Sequence, residues 1–183
     1  MLLAAAAPAS AACVDIAVGP LLPVPAPCAD FTLDGITIVV YSEADLIGVI
    51  GEPPASTYWN HGCVAAGFQN YQVDVGAPTQ ECFASVFKYG NGTQAQAMFD
   101  DPTYGAIGLE FATWPGTGPH RFFVWQDGGL IYFRERCFYC IVGAPIANDD
   151  ITPLWCLAHA LLASIGEVVE TESLTWSALK RMW

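Results

Sequence analysis

Residues 120–143 read HRFFVWQDGGLIYFRERCFYCIVG. Three apolar runs, rich in aromatic and β-branched residues, are separated by two polar steps, Asp127-Gly128 and Glu135-Arg136. Connections that short join antiparallel neighbours, so the spacing predicts a three-strand meander over 120–126, 129–134 and 137–143. Upstream, GITIVVY (35–41) is β-branched and reads as a buried strand. The runs 62–76 and 81–90 flank APTQ and read as a hairpin, and AIGLEFATW (106–114) reads as a further strand.

Helices are marked by their caps. Ser42 is the expected N-cap of a short helix that stops at Gly51 and the Pro53-Pro54 pair. Thr93 is the expected N-cap of an Ala-rich helix that follows the Asn91-Gly92 turn. Residues 151–166 form the clearest helix, with Thr152 as N-cap, Pro153 at the first helical position and Gly166 as terminator. Leu154, Leu157, Ala158, Leu161, Leu162 and Ile165 fall on one face of it at helical spacing and are expected to pack on the sheet. Strands and helices are mixed, with hairpins dominating. This predicts an α+β fold: a mostly antiparallel sheet of about six strands packed against a C-terminal helix and short N-terminal helices.

One such domain is expected over 35–166. Residues 13–34 precede it as a Pro-rich arm, because GPLLPVPAPC (19–28) suits neither a helix nor an inner strand. Residues 167–183 follow it as a tail helix, with acids early and Lys180-Arg181 late, the order a helix dipole favours. Leu174, Trp176, Leu179 and Trp183 make that tail a candidate docking segment. Residues 1–12 end an apolar run in Ala9-Ser10-Ala11 and read as the remnant of a secretory signal peptide. A second reading of the same stretch places a lipid anchor at Cys13.

The chain has 183 residues, 54% apolar and only 13% charged, with a net charge of −12. Eighteen acids against six bases exclude nucleic acid and anionic membrane surfaces as natural partners, because both need clustered Lys and Arg. No run is long and apolar enough for a transmembrane span. The apolar excess on a surface poor in charge points to a protein partner or self-assembly.

Seven cysteines suit an oxidising compartment, periplasmic or extracellular. With Cys13 lipidated, removed or free, Cys28, Cys63, Cys82, Cys137, Cys140 and Cys156 remain for disulfides. Cys137-Phe138-Tyr139-Cys140 has three readings: a redox pair, half a zinc site, or two unrelated structural cysteines. With Cys156 and His159 it completes a four-ligand zinc spacing. An extended strand argues against zinc, because it puts Cys137 and Cys140 on opposite faces about 10 Å apart. Phe-Tyr is also poor turn material. Structural disulfides to different partners are therefore expected. Cys156 lies opposite the Leu face of its helix, which suggests a bridge to something laid over that helix, with the arm's Cys28 as the candidate.

No Gly-x-Ser-x-Gly elbow and no His-Glu-x-x-His occurs, and Ile141 stands where a heme attachment motif needs histidine. The sequence assigns no catalytic residue and no cofactor. Aromatics are the remaining candidates, with Trp114, Trp125, Trp176 and Trp183 as the expected partner contacts.

Residues 41–166 resemble a family of exported bacterial proteins of unknown function. The likeness rests on Tyr58, Gly62, Tyr71, the strand Phe83–Phe87, and Ala97 with Phe99. It continues through GLIYFRERCFYCIVG (129–143) and the Leu-rich helix. Where that family carries an Asn-Gly-Gly-Ala-Glu step, this chain reads Gly51-Glu52-Pro53-Pro54-Ala55. The resemblance implies an exported α+β domain and no activity. Taken together, the residues suggest a non-enzymatic, disulfide-stabilised accessory or structural subunit of an envelope assembly. The alternatives are a periplasmic small-ligand or zinc-binding protein, and a hydrolase whose site has no sequence signature.

Overall fold

Alternation along the strands sets the architecture. In 82–89, Cys82, Ala84 and Val86 point to one face of the sheet, and Phe87 and Tyr89 to the other. Both sets are buried, so helices must cover both faces. The computed structural model describes residues 13, 16–23, 28, 31–73, 80–106, 120–125, 128–145 and 152–179. Its strands are β1 (Phe31–Val40), β2 (Cys63–Val73), β3 (Gln80–Tyr89), β4 (His120–Trp125), β5 (Gly128–Glu135) and β6 (Phe138–Pro145). They lie side by side in the order β1-β2-β3-β6-β5-β4, every pair antiparallel. The fold is α+β.

Among the described residues four α-helices flank the sheet: α1 (Glu43–Ile50), α2 (Pro54–Asn60), α3 (Gly92–Phe99) and α4 (Thr152–Leu179). On one face, α4 sets Leu154, Leu157, Leu161 and Ile165 against Val86, Ile131, Phe133 and Val142. Each of the four helix side chains is fully buried, worth roughly 1.5–3 kcal/mol apiece. Leu46, Tyr58, Met98 and Phe99 from α1, α2 and α3 cover the other face, around Phe87 and Tyr139.

Several boundaries differ from the sequence reading, each for a local reason. β1 begins at Phe31 rather than 35, because Phe31 pairs with Val73 and buries its ring against Tyr71. The proline pair does more than stop α1. Gly51 caps α1 at φ +73°, and Pro54 then opens α2, a helix the spacing did not predict. Ser42 does cap α1, its hydroxyl accepting from the Asp45 N–H at 3.2 Å. α3 is capped by Asn91 and not by Thr93, because Asn91 Oδ1 reaches the Gln94 N–H at 3.0 Å. α4 does not end at Gly166. An added Cβ there would meet nothing within 4 Å, and the helix runs on to Leu179 without the expected break before the tail. The strand expected at 106–114 lies outside the described residues beyond Ala106.

The cysteines also pair differently. The bridges are Cys13–Cys137 and Cys28–Cys156, each with Cα atoms 6.3 Å apart. The predicted Cys28–Cys156 link is present. Cys13 is not the cysteine left over; its sulfur is held by Cys137, which takes it away from any lipid thioether. Cys63, Cys82 and Cys140 are free and buried, contrary to the expected six-cysteine set. The two-residue connection between β5 and β6 is Arg136-Cys137, one step later than expected, with Glu135 opposite Phe138 and Arg136 at φ +53°. That single-residue slip takes Cys137 out of the pleat. Cys137 and Cys140 therefore share one side of the sheet, the side of α4 and the arm.

Between the bridges the arm lies on that face. Val18, Leu21 and Leu22 are buried. Tyr71 donates its hydroxyl to the Pro23 carbonyl at 2.6 Å, and Lys88 Nζ donates to the Ile16 carbonyl at 2.8 Å. Gly67 of β2 is a glycine because the arm passes over it: an added Cβ would sit 3.0 Å from Leu22 Cδ1.

Candidate binding groove

The opposite face is not fully covered. α1 and α2 pack over one part of it and α3 over another, and a groove of about 560 Å³ opens beside them. β1 forms one end. A bulge between Asp34 and Ile38 breaks its ladder with β2 around Gly35, at φ +73°. Gln69 of β2 pins the bulge: its Oε1 accepts from Thr37 Oγ1 at 2.5 Å, and its Nε2 donates to the Asp34 carbonyl at 3.5 Å. Ile36 stands out from the bulge, 83% exposed, with Ile38 at 43%.

The groove then crosses the sheet. Phe68, Phe87 and Ile141 make its floor, and Leu130 and Tyr132 of β5 close the far end. Phe83 borders the groove because β6 has a glycine opposite it. Gly143 pairs with Phe83, and a Cβ there would overlap the Phe83 ring. The α1–α2 corner supplies Val49, Ile50 and Pro54 as one wall. Tyr58 of α2 sets its ring centroid 4.4 Å from that of Phe87 with the planes tilted by 55°, and Phe68 meets Phe87 edge-on at 5.7 Å. Few polar groups intrude: Asn70, Ser85 and the tyrosine hydroxyls. Tyr58 and Tyr139 each donate to the Tyr104 carbonyl at 3.4 Å. Burial raises the pKa of both phenols, so they remain neutral.

Chemistry elsewhere is restrained. Burial pushes the Cys63 and Cys82 thiols up to about 12, and Cys140 well above its usual value, so none is a thiolate nucleophile near neutral pH. His61 Nε2 lies 3.0 Å from Asp101 Oδ2. Desolvation alone would raise the Asp101 carboxyl. The Tyr104 and Thr103 N–H groups, together with His61, outweigh it and hold the carboxyl below its ordinary value. The zinc set does not assemble. Cys137 and Cys156 are bonded to different sulfurs, and Cys140 is buried as a thiol. His159 is on the exposed side of α4, its ring 6.2 Å from Trp155. No group of three or more metal-ligating side chains occurs among the described residues.

Of the expected partner contacts, Trp114 and Trp183 lie outside the described residues, as do the side chains of Trp125 and Trp176. Sequence reasoning missed the groove itself. The available signal was a β-branched run, Ile36 to Val40, in a strand assigned to the interior. Among the described residues no helix is long and apolar enough to cross a membrane. Comparisons with family models, with curated proteins and with solved structures found no match.

Proposed function

We propose that this protein is an exported, disulfide-stapled accessory domain whose role is binding, and that it docks an apolar segment of a partner protein in the groove. The observation that carries the reading is the groove of about 560 Å³, walled by aliphatic and aromatic side chains and open to solvent along β1. Contiguous exposed apolar surface on a folded domain marks an interaction site. The two bridges support export, because disulfides persist in oxidising compartments. The resemblance to exported bacterial proteins points the same way.

A small apolar ligand is the second reading. The groove's volume falls in the range of small-molecule pockets, and Asn70 and Ser85 could orient a ligand in it. The open β1 end favours a protein segment, since Ile36 lines the groove and is still 83% exposed.

The test uses the full chain secreted into an oxidising compartment. Nile red, a neutral apolar dye, should bind with a fluorescence rise, and Ile38→Lys, together with Ile36→Lys, should abolish that rise without lowering the melting temperature. Both positions are exposed, so the substitutions leave the core intact. No dye binding by the folded protein would reject the groove as a binding surface.

A further inference from the structure

The bulge in β1 presents an apolar knob at the mouth of the groove. Ile36 is the most exposed large apolar side chain among the described residues. Beside it, an added Cβ on Gly35 would meet nothing within 4 Å, so the apex is not packed against the rest of the domain. Yet the apex is held. Phe68 and Asn70 line the groove, so Gln69 between them points to the other face, where it is buried. Its amide accepts from Thr37 Oγ1 and donates to the Asp34 and Asn70 carbonyls. A buried amide is tolerated when it is hydrogen-bonded, and this one is committed to fixing a loop that puts an isoleucine in water. Bulges re-aim side chains, and this bulge aims Ile36 away from its own core. A knob already ordered loses little freedom when a partner covers it.

The same surface carries a socket. Four of the seven large apolar side chains exposed among the described residues, Ile36, Ile38, Val49 and Phe83, line this one groove. No Asp, Glu, Lys or Arg is among its lining residues. Exposed apolar surface is therefore gathered at one place, and the chain's net charge of −12 is carried outside it.

We infer that the groove is filled by the β1 bulge of a second copy of this chain, the two copies exchanging Ile36 across a two-fold axis. The inference rests on the groove being the binding surface. A two-fold interface uses one patch on both copies, so knob and socket must lie side by side. Ile36 borders the groove that would receive its counterpart, and a single rotation seats both knobs at once. The centre of such an interface is apolar and depleted of charge, as the lining is. A foreign segment lying in the groove would fill the socket but has no use for a fixed, projecting Ile36. Like net charge opposes the approach of the two copies at long range, so pairing should strengthen as salt screens it.

The experiment is size-exclusion chromatography with light scattering on the full chain, both bridges formed, over a concentration series, with Nile red reporting on the groove. The parent should be monomeric and bind dye when dilute. When concentrated it should pair and release the dye, as Ile36 of the second copy takes its place. Ile36→Asp should weaken pairing by at least about a hundredfold, because two isoleucines per dimer are withheld from an apolar site. Asn70→Trp, at an exposed position of the lining, should also block pairing by filling the socket while Ile36 is intact. Added salt should favour the dimer. A parent that binds dye but stays monomeric at every concentration overturns this inference and leaves the groove reading standing, with a different protein as occupant. A dimer that keeps its dye, survives Ile36→Asp, or weakens as salt rises overturns it as well. Absence of dye binding by the dilute parent rejects the groove reading itself.

Discussion

Lys88 of β3 donates its ammonium to the Ile16 carbonyl at 2.8 Å, tying the arm to the sheet between the two disulfides. The side chain is 7% exposed, and a charge so buried is costly unless it is held by hydrogen bonds. Lys88→Met keeps the stem's length and removes the donor. Stability should fall by about 1–3 kcal/mol in urea unfolding, with both bridges still formed. An unchanged midpoint would mean that the bridges alone fix the arm.

The bridges should dominate stability. Each closes a loop of more than a hundred residues, with sequence separations of 124 and 128. Cys28→Ser or Cys13→Ser should each cost about 2–5 kcal/mol, read as a drop in melting temperature. Non-reducing peptide mapping should recover Cys13 with Cys137 and Cys28 with Cys156, with Cys63, Cys82 and Cys140 alkylated only after unfolding.

The same thiols set the alkaline limit of the fold. Their pKa values are raised by burial, to about 12 for Cys63 and Cys82, from an ordinary value of 9.0. A raised value means the folded state holds its proton more tightly. The contribution is therefore complete below the unfolded pKa and is lost as pH climbs from about 9 towards 12. The buried phenols of Tyr71 and Tyr139 add to the loss at the upper end. Urea midpoints should be level from pH 7 to 8 and fall above 9. Cys63→Ala together with Cys82→Ala should flatten the first part of that fall.

At the acid end the sign reverses. Asp101 accepts from the Thr103 and Tyr104 N–H groups, both at 2.8 Å, and its carboxyl is held below the ordinary value. A lowered value contributes stability that is present above the unfolded pKa near 4 and disappears as pH falls through the folded one. Asp101→Ala should lose about 1–2 kcal/mol at pH 7. The gap between variant and parent should close in titrations taken below pH 4. A gap that stays constant through acid would assign the loss to packing.

The readable parts of the fold are those fixed by local chemistry. The apolar runs and short polar connections in 120–143 gave the meander, and Ser42 marked a helix start correctly because caps satisfy backbone groups within a few residues; α4 begins at Thr152, one residue before the expected first helical position at Pro153. Cys156 on the outer side of α4 pointed to Cys28 because helical periodicity fixes which face a residue occupies. The errors came from slips of one residue and from long-range choices. Placing the β5–β6 turn at Arg136-Cys137 turned Cys137 towards the arm and gave Cys13 its partner, an outcome no local signal carries. Gly166 was a plausible stop, yet open space around it costs the helix little. The groove depends on what fails to cover Phe68 and Phe83, and a missing cover leaves no mark in a chain's own pattern.

The two disulfides interleave: Cys28 lies inside the loop closed by Cys13–Cys137, and Cys156 lies outside it. A single peptide bond cut anywhere between Cys13 and Cys156 leaves its two fragments joined by at least one bridge. Between Cys28 and Cys137 both bridges span the cut. An extracellular protease that nicks an exposed loop there would leave one molecule of unchanged mass, apart from an added water, and the break would show only after reduction.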